Sequence, residues 1–228
     1  MAKVIGIMGE SGSGKTTSMR NLDPATTFYI DCDGKGLSWR GWKSRYKAPQ
    51  NYFSTDYPEM VERMMDFVDG KERNAEGKLV ESKNKKGLDF KVLVIDTMNG
   101  IMIGQEMRDM SKKGYDKWND LATYIWSILT RALKLRDDLT VILVFHSETV
   151  SDDNGYVETH IKTSGRKLRK MVPESKLTTV LLSEYTQDGE YVFRTRKPGT
   201  TAKAPLGAFE SDIIPNDITE VIKALEEF

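Results

Sequence analysis

Short apolar runs alternate with longer amphipathic segments along this chain, a rhythm that predicts strands and helices in succession. Lys3 to Met8, Thr27 to Asp31, Phe90 to Asp96 and Thr140 to Phe145 are near-continuous apolar runs. Runs of this kind read as strands buried on both faces, as in a parallel sheet covered by helices. Between them, Met60, Val61, Met64, Met65 and Val68 recur at helical spacing, as do Leu121, Ile125, Ile128, Ala132 and Leu135. The second stripe predicts a long helix over one face of the sheet, ended at Asp137-Asp138. The first is rich in methionine, whose flexible side chain suits core filling. Trp39, Trp42 and Tyr46 stand three and four apart among Arg40, Lys43, Arg45 and Lys47. Such a mixture can stack bases and neutralise phosphates. Helical spacing favours instead an amphipathic helix with its aromatics against the sheet or a neighbouring subunit.

The remaining segments are shorter. Lys15 to Leu22 predicts a short helix closed by Asp23-Pro24, because proline disfavours a helical residue before it. Lys71 to Asp89 is charged and poor in large apolar residues, which predicts an exposed insertion around residues 70–90, with a hairpin through Lys78 to Ser82. Asn154-Gly155 predicts a tight hairpin between Thr149–Ser151 and Tyr156–Lys162. A second hairpin joins Thr178–Tyr185 to Tyr191–Arg196 across Gln187-Asp188-Gly189. Pro215-Asn216 is expected to cap a last helix that buries Ile218, Val221, Ile222 and Leu225. Together these elements predict a single α/β domain over residues 1–228, with a mainly parallel sheet flanked by helices and C-terminal antiparallel hairpin strands.

Composition narrows the partners. Lys plus Arg and Asp plus Glu both number 34, so the net charge is zero and any binding to nucleic acid must come from local patches. The single Cys32 excludes an intrachain disulfide. With no N-terminal apolar signal segment, a reducing cytoplasmic setting is expected. No apolar run approaches the ~20 residues of a membrane span, so no membrane partner is expected.

The chemistry concentrates at the ends of the apolar runs. Gly9-Glu10-Ser11-Gly12-Ser13-Gly14-Lys15-Thr16 fits G-x-x-x-x-G-K-T/S between a strand and a helix-compatible segment, the grammar of a P-loop. Glycines at these positions let consecutive backbone N–H groups wrap a phosphate. Lys15 then reaches the β- and γ-phosphates of ATP, and Thr16 ligates Mg²⁺. The second run ends in Asp31-Cys32-Asp33-Gly34. Ligands of open α/β sheets gather at the carboxyl ends of strands, so Asp33 is a candidate catalytic carboxylate, unless the pair only forms a polar turn. Asp96 closes the third run and is the candidate for the Mg²⁺ shell, through water, on a strand expected beside the first. The fourth run delivers His146, Ser147 and Glu148 to the same crevice, with His146 the candidate group for sensing the γ-phosphate. Ser164 to Lys170 is the densest basic cluster. Its Arg166, Lys167, Arg169 and Lys170 can meet a nucleic-acid backbone, close over a nucleotide as a lid, or form a solvated face.

The order of these strand-end residues, with the basic hairpin after them, resembles the RecA-like branch of P-loop ATPases. Within that branch the chain is most similar to phage single-strand annealing proteins with a RecA-like core. The resemblance implies an ATP-hydrolysing, oligomeric protein that binds single-stranded DNA in phage recombination or replication, in the cytoplasm of a bacterial host. It implies that Gly9 to Thr17 hold the triphosphate, Asp96 the Mg²⁺ shell, Asp33 the hydrolytic water and His146 the γ-phosphate sensor. It further implies that Arg196, Lys197 or Lys203 reaches a neighbouring subunit's site as a finger. The acid position of that branch is commonly Glu, and Asp33 is one methylene shorter. A small-molecule kinase, or a nucleotide-controlled binding module with little hydrolysis, would use the same loop.

Overall fold

The four apolar runs become neighbouring strands because each carries side chains that need burial on both faces of one sheet. A computed structural model describes residues 1–111, 116–151, 153–164, 170 and 172–228. The strands are β1 (Lys3–Gly9), β2 (Thr27–Asp31), β3 (Tyr52–Ser54), β4 (Lys71–Arg73), β5 (Leu79–Glu81), β6 (Val92–Asp96), β7 (Thr140–Ser151), β8 (Val157–Ile161), β9 (Thr179–Tyr185), β10 (Tyr191–Arg194) and β11 (Ile213–Pro215). Among the described residues the main sheet runs β11-β10-β9-β1-β7-β6-β2-β3, with β8 attached to β7, while β4 and β5 form a separate exposed hairpin. From β9 to β3 all pairings are parallel, whereas β10, β11 and β8 join antiparallel. This is the expected mainly parallel α/β sheet with antiparallel C-terminal strands. Among the described residues no helix is long and apolar enough to cross a membrane.

Alternation along the strands builds two cores. Met8, Phe28, Leu93, Leu143 and Phe145 face one side, where α2 (Pro58–Val68), α3 (Met98–Arg108) and α4 (Asp116–Ala132) cover them. Ile7, Tyr29, Val94, Val144 and Leu181 face the other, under α1 (Trp42–Arg45) and α5 (Ile218–Ala224). The aromatic-basic segment resolves as core packing: Tyr46 meets Tyr29 at 5.8 Å between ring centroids, and Trp42 meets Tyr52 at 5.3 Å.

Several local expectations are corrected. Asp96 does not end a strand beside β1, because β7 pairs with β1 over Lys3↔Thr140 to Gly9↔His146 and separates it from β6. The chain steps from β6 to its neighbour β7 but passes from β8 over β1 to reach β9, and a strand's own residues do not say which neighbour it will take. The segment Lys15 to Leu22 is not a regular helix but a turn-rich stretch with one 3₁₀ turn at Thr17–Met19. Ser18 Oγ donates to the Lys15 carbonyl at 2.6 Å, a local bond that competes with a helical ladder. The last helix is capped by Asp217, whose carboxylate accepts from Thr219 N at 3.0 Å, rather than by Pro215-Asn216. Helix α3 has little apolar periodicity because two of its positions are glycines set by close approach. A Cβ on Gly100 would lie 2.4 Å from the Cys32 carbonyl, and one on Gly104 would lie 2.0 Å from an Asp56 carboxylate oxygen.

Candidate nucleotide site

The loop after β1 turns sharply at Gly12 (φ 81°) and Gly14 (φ 93°), a backbone region that side chains other than glycine rarely adopt. It is braced from β9: Ser183 Oγ donates to the Ser13 carbonyl at 2.6 Å, and Asn216 Nδ2 donates to Ser183 Oγ at 3.1 Å. Gly9 must be glycine, because a Cβ would meet Ser13 Oγ and the Ser183 carbonyl at 2.5 Å. The Lys15 ammonium folds back over the loop, donating to the carbonyls of Gly9 at 2.8 Å and Glu10 at 2.5 Å. Burial lowers its pKa from 10.5 to about 8 against the opposing pull of Asp96. A phosphate at the loop favours the charged form, so between that value and the higher bound-state pKa binding takes up a proton. ATP affinity should therefore be nearly flat up to neutral pH and fall above pH 8, by at most about tenfold per pH unit, in a calorimetric titration series.

Opposite the lysine, Thr16 Oγ1 donates to Asp96 Oδ2 at 2.7 Å, and the fully buried Tyr29 hydroxyl donates to the same oxygen at 2.5 Å. Asp96 Oδ1 is buried without a hydrogen-bond partner, and so is Ser13 Oγ. Burial raises the Asp96 pKa, and the Tyr29 and Thr16 hydrogen bonds oppose that shift. One hydroxyl, one orphaned carboxylate oxygen and a phosphate cradle suit Mg²⁺, which usually takes one or two carboxylates plus substrate phosphates. Thr16 and Asp96 would hold it, and it would supply charge neutralisation between the phosphates.

The two carboxylates after β2 have separate duties. Asp31 is consumed by its turn, accepting from Asp33 N at 3.1 Å, Gly34 N at 2.9 Å, Gly36 N at 2.7 Å and the Tyr52 hydroxyl at 2.6 Å. Asp33 points the other way. Its Oδ1 accepts from Thr97 Oγ1 at 3.0 Å and its Oδ2 from Lys35 Nζ at 2.5 Å. Thr97 also caps α3, accepting from Gly100 N at 3.1 Å. The residue after Asp96 thus anchors the neighbouring carboxylate.

His146 sits level with Gly9 across the β1–β7 pairing, but it lies inside the strand rather than at its end, because β7 runs on to Ser151 in a hairpin with β8. Its backbone N–H donates to Asn99 Oδ1 at 2.8 Å, and Asn99 Nδ2 donates to the Lys162 carbonyl at 3.0 Å. Burial first, and then the Lys15 charge, hold the His146 pKa below the ordinary histidine value, so the ring is neutral at pH 7.

Lys15, Thr16, Asp33, Asp96 and His146 are thus brought to one end of the sheet. The basic candidates are not all there. Lys197 Nζ pairs with Glu184 at 2.5 Å, together with Arg194 at 2.8 Å, beside a cavity of about 910 Å³ that also touches Glu10, Ser13, Ser147 and Thr159. Arg196 donates to the carbonyls of Ala204 and Pro205 at 3.5 Å, and Lys203 pairs its backbone with Val180. Arg166, Lys167 and Arg169 lie outside the described residues, while Lys170 is exposed. Sequence reasoning missed Tyr29, Lys35, Thr97 and Asn99. Only Thr97 carried a readable signal, a cap residue three positions before Gly100.

No curated protein matches the chain. The sequence profile of the AAA domain family matches residues 1–206. With a phosphate loop, an acidic strand end and a mostly parallel sheet in place, the chain belongs to the AAA domain family.

Proposed function

We propose that this protein is a Mg²⁺-dependent ATPase that works as an oligomer on single-stranded DNA, in phage recombination or replication. The observation that carries the nucleotide part is the 2.7 Å contact between Thr16 and Asp96, with Lys15 and Asp33 at the same strand ends. In the proposed reaction the Lys15 ammonium leaves the loop carbonyls for the β- and γ-phosphates. Asp33 orients a water and takes its proton as the water oxygen bonds to the γ-phosphorus and the bond to the ADP oxygen breaks. The short Asp33 side chain, tied to Thr97 and Lys35, makes slow basal turnover the expectation. The DNA part is supported by His146, which links the loop to the β7–β8 hairpin, and by the basic segment that follows β8.

ATP turnover measured with and without a single-stranded oligonucleotide at low salt tests both parts. Turnover should rise with DNA, and DNA binding should weaken steeply with salt. Turnover without any DNA binding rejects the DNA role and keeps the ATPase. Sedimentation with and without ATP tests assembly, on which Arg196, Lys197 or Lys203 acting on a neighbour depends.

A second reading, a small-molecule kinase, is favoured by the cavity beside the loop, whose Ser147, Thr159, Glu184, Arg194 and Lys197 offer polar contacts to an acceptor. It predicts monomers and a phosphorylated acceptor in place of free phosphate.

A further inference from the structure

Lys35 is a cation at the phosphate crevice that the P-loop pattern does not announce. It follows the strand end that supplies Asp33, and its side chain is 54% exposed. It stands between Gly34 (φ 67°) and Gly36 (φ 78°), so its backbone is carried by a turn that only glycines accept readily. Asp31 pins that turn through the N–H groups of Gly34 and Gly36, which presents Lys35 to the crevice while its own side chain stays outside the core. Its ammonium pairs with Asp33 Oδ2 at 2.5 Å, and its charge also acts on Asp96, Lys15 and His146. Those are the groups that surround the terminal phosphate in the proposed reaction. A carboxylate paired with an ammonium is a poor acceptor for a water proton, because that proton would have to displace a favourable ion pair.

We propose that Lys35 is a second cation of the phosphate site, supplied by the same chain: it holds Asp33 in the free protein and moves onto the terminal phosphate when ATP binds, which frees Asp33 for water. The inference rests on the nucleotide reading above. The physical reason for the move is charge. The terminal phosphate of ATP carries more negative charge than one carboxylate, and ammonium bonds to phosphate are charge-assisted. ADP ends one phosphate short of that position, so it leaves Lys35 on Asp33. The site then distinguishes ATP from ADP within one subunit, without needing a neighbour's residue.

The test is the affinity for Mg-ATP and Mg-ADP, by calorimetry, of the wild type, Lys35→Ala, Lys35→Arg, Asp33→Asn and the double variant Lys35→Ala/Asp33→Asn. Loss of one charged contact should weaken ATP binding by about tenfold or more in Lys35→Ala, with ADP affinity within about twofold of wild type. Arginine should restore part of the loss. Asp33→Asn should tighten ATP binding, and that gain should vanish in the double variant, since two groups in contact are not additive. Equal weakening of ATP and ADP, unchanged ATP binding in Lys35→Ala, or additive effects in the double variant would each overturn the proposal. Lys15→Ala run alongside separates the two levels. If it abolishes binding while Lys35→Ala changes nothing, the inference fails and the P-loop reading stands. If Lys15→Ala binds ATP normally, the P-loop reading itself fails.

Discussion

Replacing Lys15 with alanine is expected to weaken ATP binding by at least about a hundredfold and to abolish turnover, since two charge-assisted bonds of about 1.5–3 kcal/mol each are lost in a mostly buried setting. The position of the ammonium explains the size of the effect. In the free protein it rests on the carbonyls of Gly9 and Glu10, so it is held over the loop instead of sampling solvent, and little ordering remains for the nucleotide to impose. Its exposure is only 6%, and that burial lowers its pKa to about 8 against the opposing charge of Asp96. Removing it therefore takes away the contact without taking away a stabilising ion pair. The melting temperature of the nucleotide-free variant should stay close to wild type, while the rise on adding ATP should disappear. Undiminished affinity and turnover would contradict the account of the site.

Asp96→Asn is expected to lower turnover by at least about a hundredfold, because in the proposed site the carboxylate charge would hold Mg²⁺ against the phosphates. Asparagine keeps a carbonyl oxygen for the Thr16 and Tyr29 donors, so the geometry on that side persists while the charge is lost. Half-maximal Mg²⁺ in a turnover titration should rise in parallel. Asp96→Ala removes the oxygen as well, leaving the buried Tyr29 hydroxyl without its partner. That variant should be less stable than Asp96→Asn by about 1–3 kcal/mol in urea unfolding. The pair of variants separates the chemical role of the charge from the structural role of the oxygen. Turnover of Asp96→Asn near wild type would remove Asp96 from the metal site.

The nucleotide site was legible where residue type and chain neighbourhood coincide. Gly9 to Thr16 spells its backbone requirement directly, and Asp33, Asp96 and His146 each follow an apolar run, which places them near the carboxyl ends of the strands of a parallel sheet. The supporting groups were not legible, because they act across the sheet. Tyr29 reads as one more apolar strand residue, yet its hydroxyl reaches Asp96 on the neighbouring β6. Asn99 reads as a polar helix residue, yet it ties His146 to Lys162. Asp31 and Asp33 are alike in sequence, and their separate roles follow from the turn that spends one on backbone N–H groups and leaves the other for Thr97 and Lys35.

The residues in order thus dictate the phosphate loop, the alternation of buried strands with covering helices and the strand-end position of Asp33 and Asp96, because backbone freedom and hydrophobic pattern are local properties. Folding decides the rest. It inserts β7 between β1 and β6, so that Thr16 and Asp96, 80 residues apart in the chain, meet at 2.7 Å across an intervening strand. It replaces the expected helix after the loop with turns, and it sets Lys35 on Asp33. Strand order and side-chain pairing depend on which surfaces meet, and surfaces meet only once the chain has closed on itself.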